Sequence, residues 1–168
     1  KFLNNENINI TSPVSNPVTD KIARDILERY QLKLSLKRNA SINIIAKDFY
    51  HVKNLKEGMD AAWLCFENFE GVESNYEKVD IKRIYLEDVK IPNFCALDLF
   101  TTKNFYLNNK NLVNDFIEAT ESAIKILEND LDYSRQTFYK YSKEEKSIVM
   151  DKIIEKTRSR FFSPFEES

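Results

Sequence analysis

Between Ile8 and Leu86 short apolar runs alternate with stretches of helical periodicity, and this alternation limits the possible folds more than any other feature of the chain. Ile8-Asn-Ile-Thr11, Ile42-Asn-Ile-Ile-Ala46, Ala61-Ala-Trp-Leu-Cys-Phe66 and Ile81-Lys-Arg-Ile-Tyr-Leu86 read as strands. Helices are predicted between them, over residues 17–30, 49–57 and 72–77. The order β-α-β-α-β-α-β predicts an α/β fold with a mainly parallel sheet flanked by helices.

Local signals mark the joints. Ser12-Pro-Val-Ser-Asn-Pro17 is a turn-rich loop; Asn16 is a good N-cap and Pro17 suits the first helical position. Val18, Ile22, Ile26 and Leu27 form the apolar stripe of the helix that follows. The start of that helix, with Ser15 and Asn16, suits either an ordinary cap or a site for an anionic or polar ligand group. Asp48 stands where it can cap the second helix, and Gly58 where it can end it.

The stretch from Asp60 to Glu73 is the most informative. Ala61 to Phe66 is an unbroken apolar run of the length of a strand covered on both faces. Glu67, Asn68, Phe69 and Glu70 then crowd together before Gly71. Carboxylates, an amide and an aromatic ring therefore sit where a parallel strand ends and a helix begins, the edge at which open α/β sheets bind ligands. Taken singly, Glu67 also suits a solvated loop and Phe69 a core. Glu70 beside a glycine is better placed, because backbone can approach a ligand closely there. Its carboxylate could accept hydrogen bonds from an exocyclic amine or a ring N–H.

Several chemistries are excluded by what the chain lacks. With Lys+Arg 25 and Asp+Glu 27 the net charge is -2, and no basic cluster with interleaved aromatics offers itself to nucleic acid. The two glycines, Gly58 and Gly71, cannot form a P-loop or a Gly-rich dinucleotide loop. His51 is the sole histidine, and Cys65 and Cys95 lie far apart with no CxxC. That argues against a zinc site or a Cys/His pair, and both cysteines read as small buried strand residues. No GxSxG nucleophile elbow occurs. No cofactor is expected.

After Thr102 the pattern becomes wholly helical. Leu112, Val113, Phe116, Ile117, Thr120, Ala123, Ile124 and Leu127 recur at helical spacing and predict a helix over 111–129. Further amphipathic helices are predicted over 132–141 and 143–162. Their Phe138, Tyr139, Tyr141, Phe161 and Phe162 have no remaining strand to cover.

These segments, in this order, match a known pattern. Asn43-Ile-Ile-Ala-Lys-Asp48 is followed by Leu55-Lys-Glu-Gly-Met-Asp-Ala-Ala62. Asn68-Phe-Glu-Gly-Val72, Tyr85-Leu-Glu-Asp-Val-Lys-Ile-Pro-Asn-Phe94 and Lys103-Asn-Phe-Tyr-Leu107 come next, ahead of a Leu-Val-Asn-Asp-Phe-Ile-Glu-Ala helix. Over nearly the whole chain this resembles the family of solute-binding proteins and synthases for the thiamine pyrimidine, which have the type II periplasmic-binding-protein fold. The resemblance implies a ligand held between two lobes that close about hinge strands. It makes residues 1–93 the second, ligand-binding lobe and 94–102 a hinge strand. Residues 103–168 become C-terminal helices that pack on a first lobe encoded upstream of Lys1, with more chain after Ser168. It also implies an extracytoplasmic receptor, periplasmic or lipid-anchored, that delivers its ligand to an ABC transporter permease.

The synthases of the family carry a cysteine-rich iron motif that two distant cysteines cannot form, so a binding protein is expected rather than an enzyme. The implied ligand is a substituted pyrimidine such as hydroxymethyl- or formylaminomethylpyrimidine. Glu70 would accept from its amine, and Phe66 or Phe69 would stack on its ring. Asn68 and Asn93 would supply amide hydrogen bonds, with Glu67 beside them. The helix start at Ser15 and Asn16 would hold a polar substituent. The alternatives are the same fold with a flavin, a sulfonate or another anion, or a synthase-like enzyme.

Overall fold

Ile8 and Ile10 are each 3% exposed, the burial of a strand with neighbours on both edges. β1 (Ile8–Ser12) pairs in parallel along its whole length with β2 (Ile42–Ala46), Ile8 opposite Ile42 and Ser12 opposite Ala46. On its other edge it pairs in parallel with β3 (Ala61–Ala62), Ile10 opposite Ala61 and Thr11 opposite Ala62. The sheet order is β2-β1-β3. This computed structural model describes residues 1–14, 16–37, 39–92 and 98–161, and the chain divides into two compact units, Lys1–Phe94 and Cys95–Ser168.

In the first unit, α1 (Pro17–Lys33) joins β1 to β2, and α2 (His51–Lys56) joins β2 to β3. The chain steps from β1 to β2 in one direction and returns past β1 to β3. Right-handed crossovers in opposite directions place the two helices on opposite faces of the sheet. α1 begins as its sequence requires, with Pro17 at the first position and Asn16 Oδ1 accepting from the Val18 and Thr19 amides at 3.0 Å each. Its buried stripe is Ala23, Ile26 and Tyr30; Val18, assigned to that stripe from periodicity, is 70% exposed on the first turn. Ile26 and Tyr30 form a cluster with Val89, and Ile22, Leu34, Trp63, Ile84 and Leu86 pack around it.

Two predicted strands are corrected. The run from Ala61 to Phe66 pairs only at Ala61 and Ala62, and Trp63 adds one further bond from its amide to the Thr11 carbonyl. Leu64 then takes a positive φ of 62°, which breaks the pleat, and Cys65 emerges exposed rather than as a buried strand residue. Cys95 lies outside the described residues. The segment 81–86 joins no strand. Its apolar residues Ile84 and Leu86 pack on α1, while its end is closed by a turn in which Asp88 Oδ2 accepts from the Tyr85 amide. α3 (Glu70–Tyr76) starts two residues earlier than its periodicity predicts. α2 starts two residues late; Asp48 Oδ1 nevertheless accepts from the Tyr50 amide and the Asn54 side chain just ahead of it.

The second unit is helical: α4 (Lys103–Asn108), α5 (Lys110–Asn129), α6 (Leu131–Ser142) and α7 (Ile148–Thr157). The helix expected over 143–162 is shorter, because Lys143 closes α6 in the left-handed region and Ser147 opens α7 by accepting from the Met150 amide. A short 3-10 turn, Arg158–Arg160, follows α7. Arg135 of α6 pairs with Asp132, and with Asp151 and Glu155 of α7. Ile153 and Ile154 are the buried residues of α7. Among the described residues no helix is long and apolar enough to cross a membrane.

Candidate binding site at the carboxyl edge of the sheet

The reversal of strand order at β1 creates a switch point, and the crevice of an open parallel sheet opens outside the carboxyl ends of the strands on either side of it. Here those strands are β1 and β3. The loop from Ser12 to Asn16 leaves one, and the loop from Trp63 to Phe69 leaves the other.

On the β1 side, Thr11 and Ser12 are fully buried. Ser12 Oγ donates to Asp20 Oδ1 at 2.9 Å and so ties the strand end to the first turn of α1. Asn16 serves as the cap described above, so its side-chain oxygen already holds the first helical amides.

On the β3 side the chain folds into a closed loop. The Phe66 amide donates to Glu70 Oε2 at 2.7 Å, and the Phe69 and Gly71 amides donate to the Phe66 carbonyl at 3.0 and 3.3 Å. Glu70 is 8% exposed, whereas the rings of Phe66 and Phe69 remain open at 37% and 42%. Asn68 is half-buried between them. Glu67 is not a solvated loop charge. Its Oε2 lies 3.2 Å from Arg83 Nε and accepts from the Tyr85 hydroxyl at 3.2 Å. The carboxylate rests over Gly71, where an added Cβ would stand 2.8 Å from Glu67 Cδ. That close approach requires the glycine, whose φ is ordinary.

The structure thus gathers Phe66, Glu67, Asn68, Phe69 and Glu70 into one loop and sets Asn16 on the same sheet edge. Ser15 and Asn93 lie outside the described residues.

Sequence reasoning considered His51 only as a lone histidine unfit for a zinc site or a Cys/His pair and gave it no place in the fold. It opens α2, is fully buried, and its Nδ1 lies 3.4 Å from Thr11 Oγ1. Its Nε2 has no hydrogen-bond partner among the described residues. Burial pushes the His51 pKa down, and the carboxylates of Glu70 and then Asp48 oppose that shift. Burial also raises the Glu73 pKa, with Glu70 and Glu77 adding to it. A faint signal in the sequence was the position of His51 beside Val52, one turn before Leu55, on the side of the helix that meets the sheet.

A buried neutral imidazole makes stability depend on pH. The unfolded chain takes up the proton first, near pH 6.5, because the folded-state pKa lies lower. The His51 contribution is therefore whole above that value and declines as pH falls through it toward the folded pKa. Thermal unfolding followed from pH 7.5 to 5.5 should show a steeper loss for the wild type than for His51→Gln. Parallel slopes would show that His51 is not held neutral.

Comparison with known proteins bears on the family of the chain. No curated protein matches the chain. A family model described as NMT1/THI5 like matches residues 10–130, which takes in the end of β1, all of β3, the 66–71 loop and α5. The match covers more than half of the 168 residues, and the family generally comprises binding proteins that work outside the cytoplasm. The chain belongs to the NMT1/THI5-like family of solute-binding proteins of ABC transporters.

Proposed function

We propose that the chain captures a substituted aminopyrimidine, a thiamine precursor such as hydroxymethyl- or formylaminomethylpyrimidine, and presents it to an ABC importer on the extracytoplasmic side. The observation that carries this reading is the 66–70 loop at the switch point, which combines one buried carboxylate with two part-exposed phenyl rings. A flat heteroaromatic ring with an exocyclic amine needs those two features together: a π-surface to stack on and a fixed acceptor at the ring edge. Glu70 accepts from the amine, Phe66 or Phe69 covers the ring, and Asn68 supplies an amide contact. Ser15 and Asn93, the other contacts expected from the sequence, lie outside the described residues. The capture is non-covalent.

A sulfonate or other small anion suits the loop less well. The first amides of α1 are held by Asn16, the Arg83 guanidinium is engaged by Glu67, and Glu70 would repel a negative charge.

Trp63, the sole tryptophan, lies three residues before Phe66 and reports on this region. Its fluorescence should respond saturably to hydroxymethylpyrimidine or formylaminomethylpyrimidine and not to taurine. A saturable response to riboflavin or taurine alone, or to none of the four, would overturn the pyrimidine assignment.

A further inference from the structure

The 66–71 loop is held from outside chiefly by Arg83, which belongs to a segment without secondary structure. Arg83 Nε pairs with Glu67 Oε2 at 3.2 Å, on the first residue after Phe66. Its Nη2 donates to the Gly71 carbonyl at 3.2 Å, to Ser74 Oγ at 3.1 Å and to Asn75 Oδ1 at 3.0 Å. Ser74 is fully buried, and its hydroxyl also donates to the Gly71 carbonyl. One planar guanidinium thus grips both ends of the loop and the body of α3 at once. A lysine ammonium, a single point of charge, cannot reproduce that fork. Tyr85, two residues along, adds its hydroxyl to the same Glu67 oxygen. Gly71 leaves the space into which the Glu67 carboxylate folds. All these bonds converge on the backbone that fixes where Phe66, Asn68, Phe69 and Glu70 stand.

We propose that Arg83 is a positioning residue for ligand capture: with Glu67 and Gly71 it holds the 66–71 loop in its binding shape without touching the ligand. The inference rests on the binding role proposed for that loop. Preorganisation of this kind raises affinity because the loop is ordered before the ligand arrives. A residue of the segment 81–86 thereby governs a site on the far side of α3 in the sequence.

Two readouts test it on the whole chain, with Arg83→Gln and Arg83→Lys. The first is amide hydrogen exchange and needs no ligand. In both variants the Phe66, Phe69 and Gly71 amides should exchange roughly tenfold faster, while the Ile10 and Thr11 amides of β1 keep their wild-type rates. The second is Trp63 fluorescence with formylaminomethylpyrimidine. Affinity should fall roughly tenfold in both variants, with Lys failing to rescue because it restores the charge facing Glu67 but not the fork. Loop amides that exchange at wild-type rates would overturn the proposal. So would acceleration spread evenly over β1 and the loop, and so would faster loop exchange with unchanged affinity. If the wild type binds no pyrimidine, the functional reading falls; exchange then decides the clamp alone, localised acceleration supporting it and uniform exchange ending it.

Discussion

Ile10→Ala should weaken the Lys1–Phe94 unit by about 3 kcal/mol, within the usual range of roughly 2–5 for a buried isoleucine cut to alanine. Ile10 is 3% exposed and, like Thr11 beside it, faces partners on both sides, Ile44 in β2 and Ala61 in β3. The neighbouring backbone is tied into both ladders and cannot collapse to fill the space, so the cost of a cavity adds to the lost transfer energy. Against a typical native stability of roughly 5–15 kcal/mol the loss is large. Urea unfolding followed at Trp63 should show the midpoint falling by on the order of 1–3 M at unchanged slope. Leu32→Ala is the control. Leu32 is 75% exposed near the end of α1, and its truncation should stay within about 0.5 kcal/mol of the wild type. Equal midpoints for the two variants would mean that β1 is not the centre of the unit.

How far the fold can be read from the residues depends on how local its causes are. β1, α1 and β2 were legible because each carries its own signal: alternation in Ile8-Asn-Ile and Ile42-Asn-Ile, and Asn16-Pro17 at a helix start; the stripe of α1 was read only in part, Ile26 being buried as expected but Ala23 and Tyr30 not assigned to it. α5 and α6 were legible for the same reason, and the break after Tyr141 was expected; what was missed is that α7 starts only at Ile148, since nothing in 143–147 but the Ser147 cap announces the delay. Leu64 hid the end of β3, since a leucine at φ 62° stands in the middle of an apolar run that looks continuous. The segment 81–86 shows a different limit. Its apolar residues do pack, on Ile26 and Tyr30, but apolar content says that a segment is covered and not that its backbone pairs.

The candidate site divides along the same line. The 66–70 cluster was visible because its members are adjacent in sequence. What holds it together was not, because the partners are distant: Arg83 lies sixteen positions from Glu67 and Thr11 forty from His51. Glu67 shows the consequence. In sequence it is one more acidic residue of a ligand loop, and only the structure shows it paired with Arg83 and Tyr85 and folded over Gly71.

Glu70 is the residue on which the functional reading turns, and its variants separate its two duties. Glu70→Gln should keep the loop closed, because the amide oxygen can still accept from the Phe66 amide. The other end of that amide is a donor, however, and would face the donor of an aminopyrimidine. Affinity should fall by roughly 1–3 kcal/mol, or about 5- to 150-fold, as expected when a charge-assisted hydrogen bond at a desolvated site is lost. Glu70→Ala removes both duties. It should show the same loss of affinity and, in addition, cost about 1 kcal/mol of stability because the Phe66 amide loses its acceptor.

His51 supplies an internal check that needs no ligand. The Glu70 carboxylate opposes the downward shift of the imidazole pKa, so its neutralisation in Glu70→Gln should lower that pKa further. His51 is the sole histidine, and its ring protons can be followed by NMR without ambiguity. A His51 pKa lowered by the substitution, together with unchanged pyrimidine affinity, would leave Glu70 in its observed place and remove it as the ligand's acceptor. The loop would then read as a structural corner, and the recognition of the ring edge would have to come from another residue of the crevice.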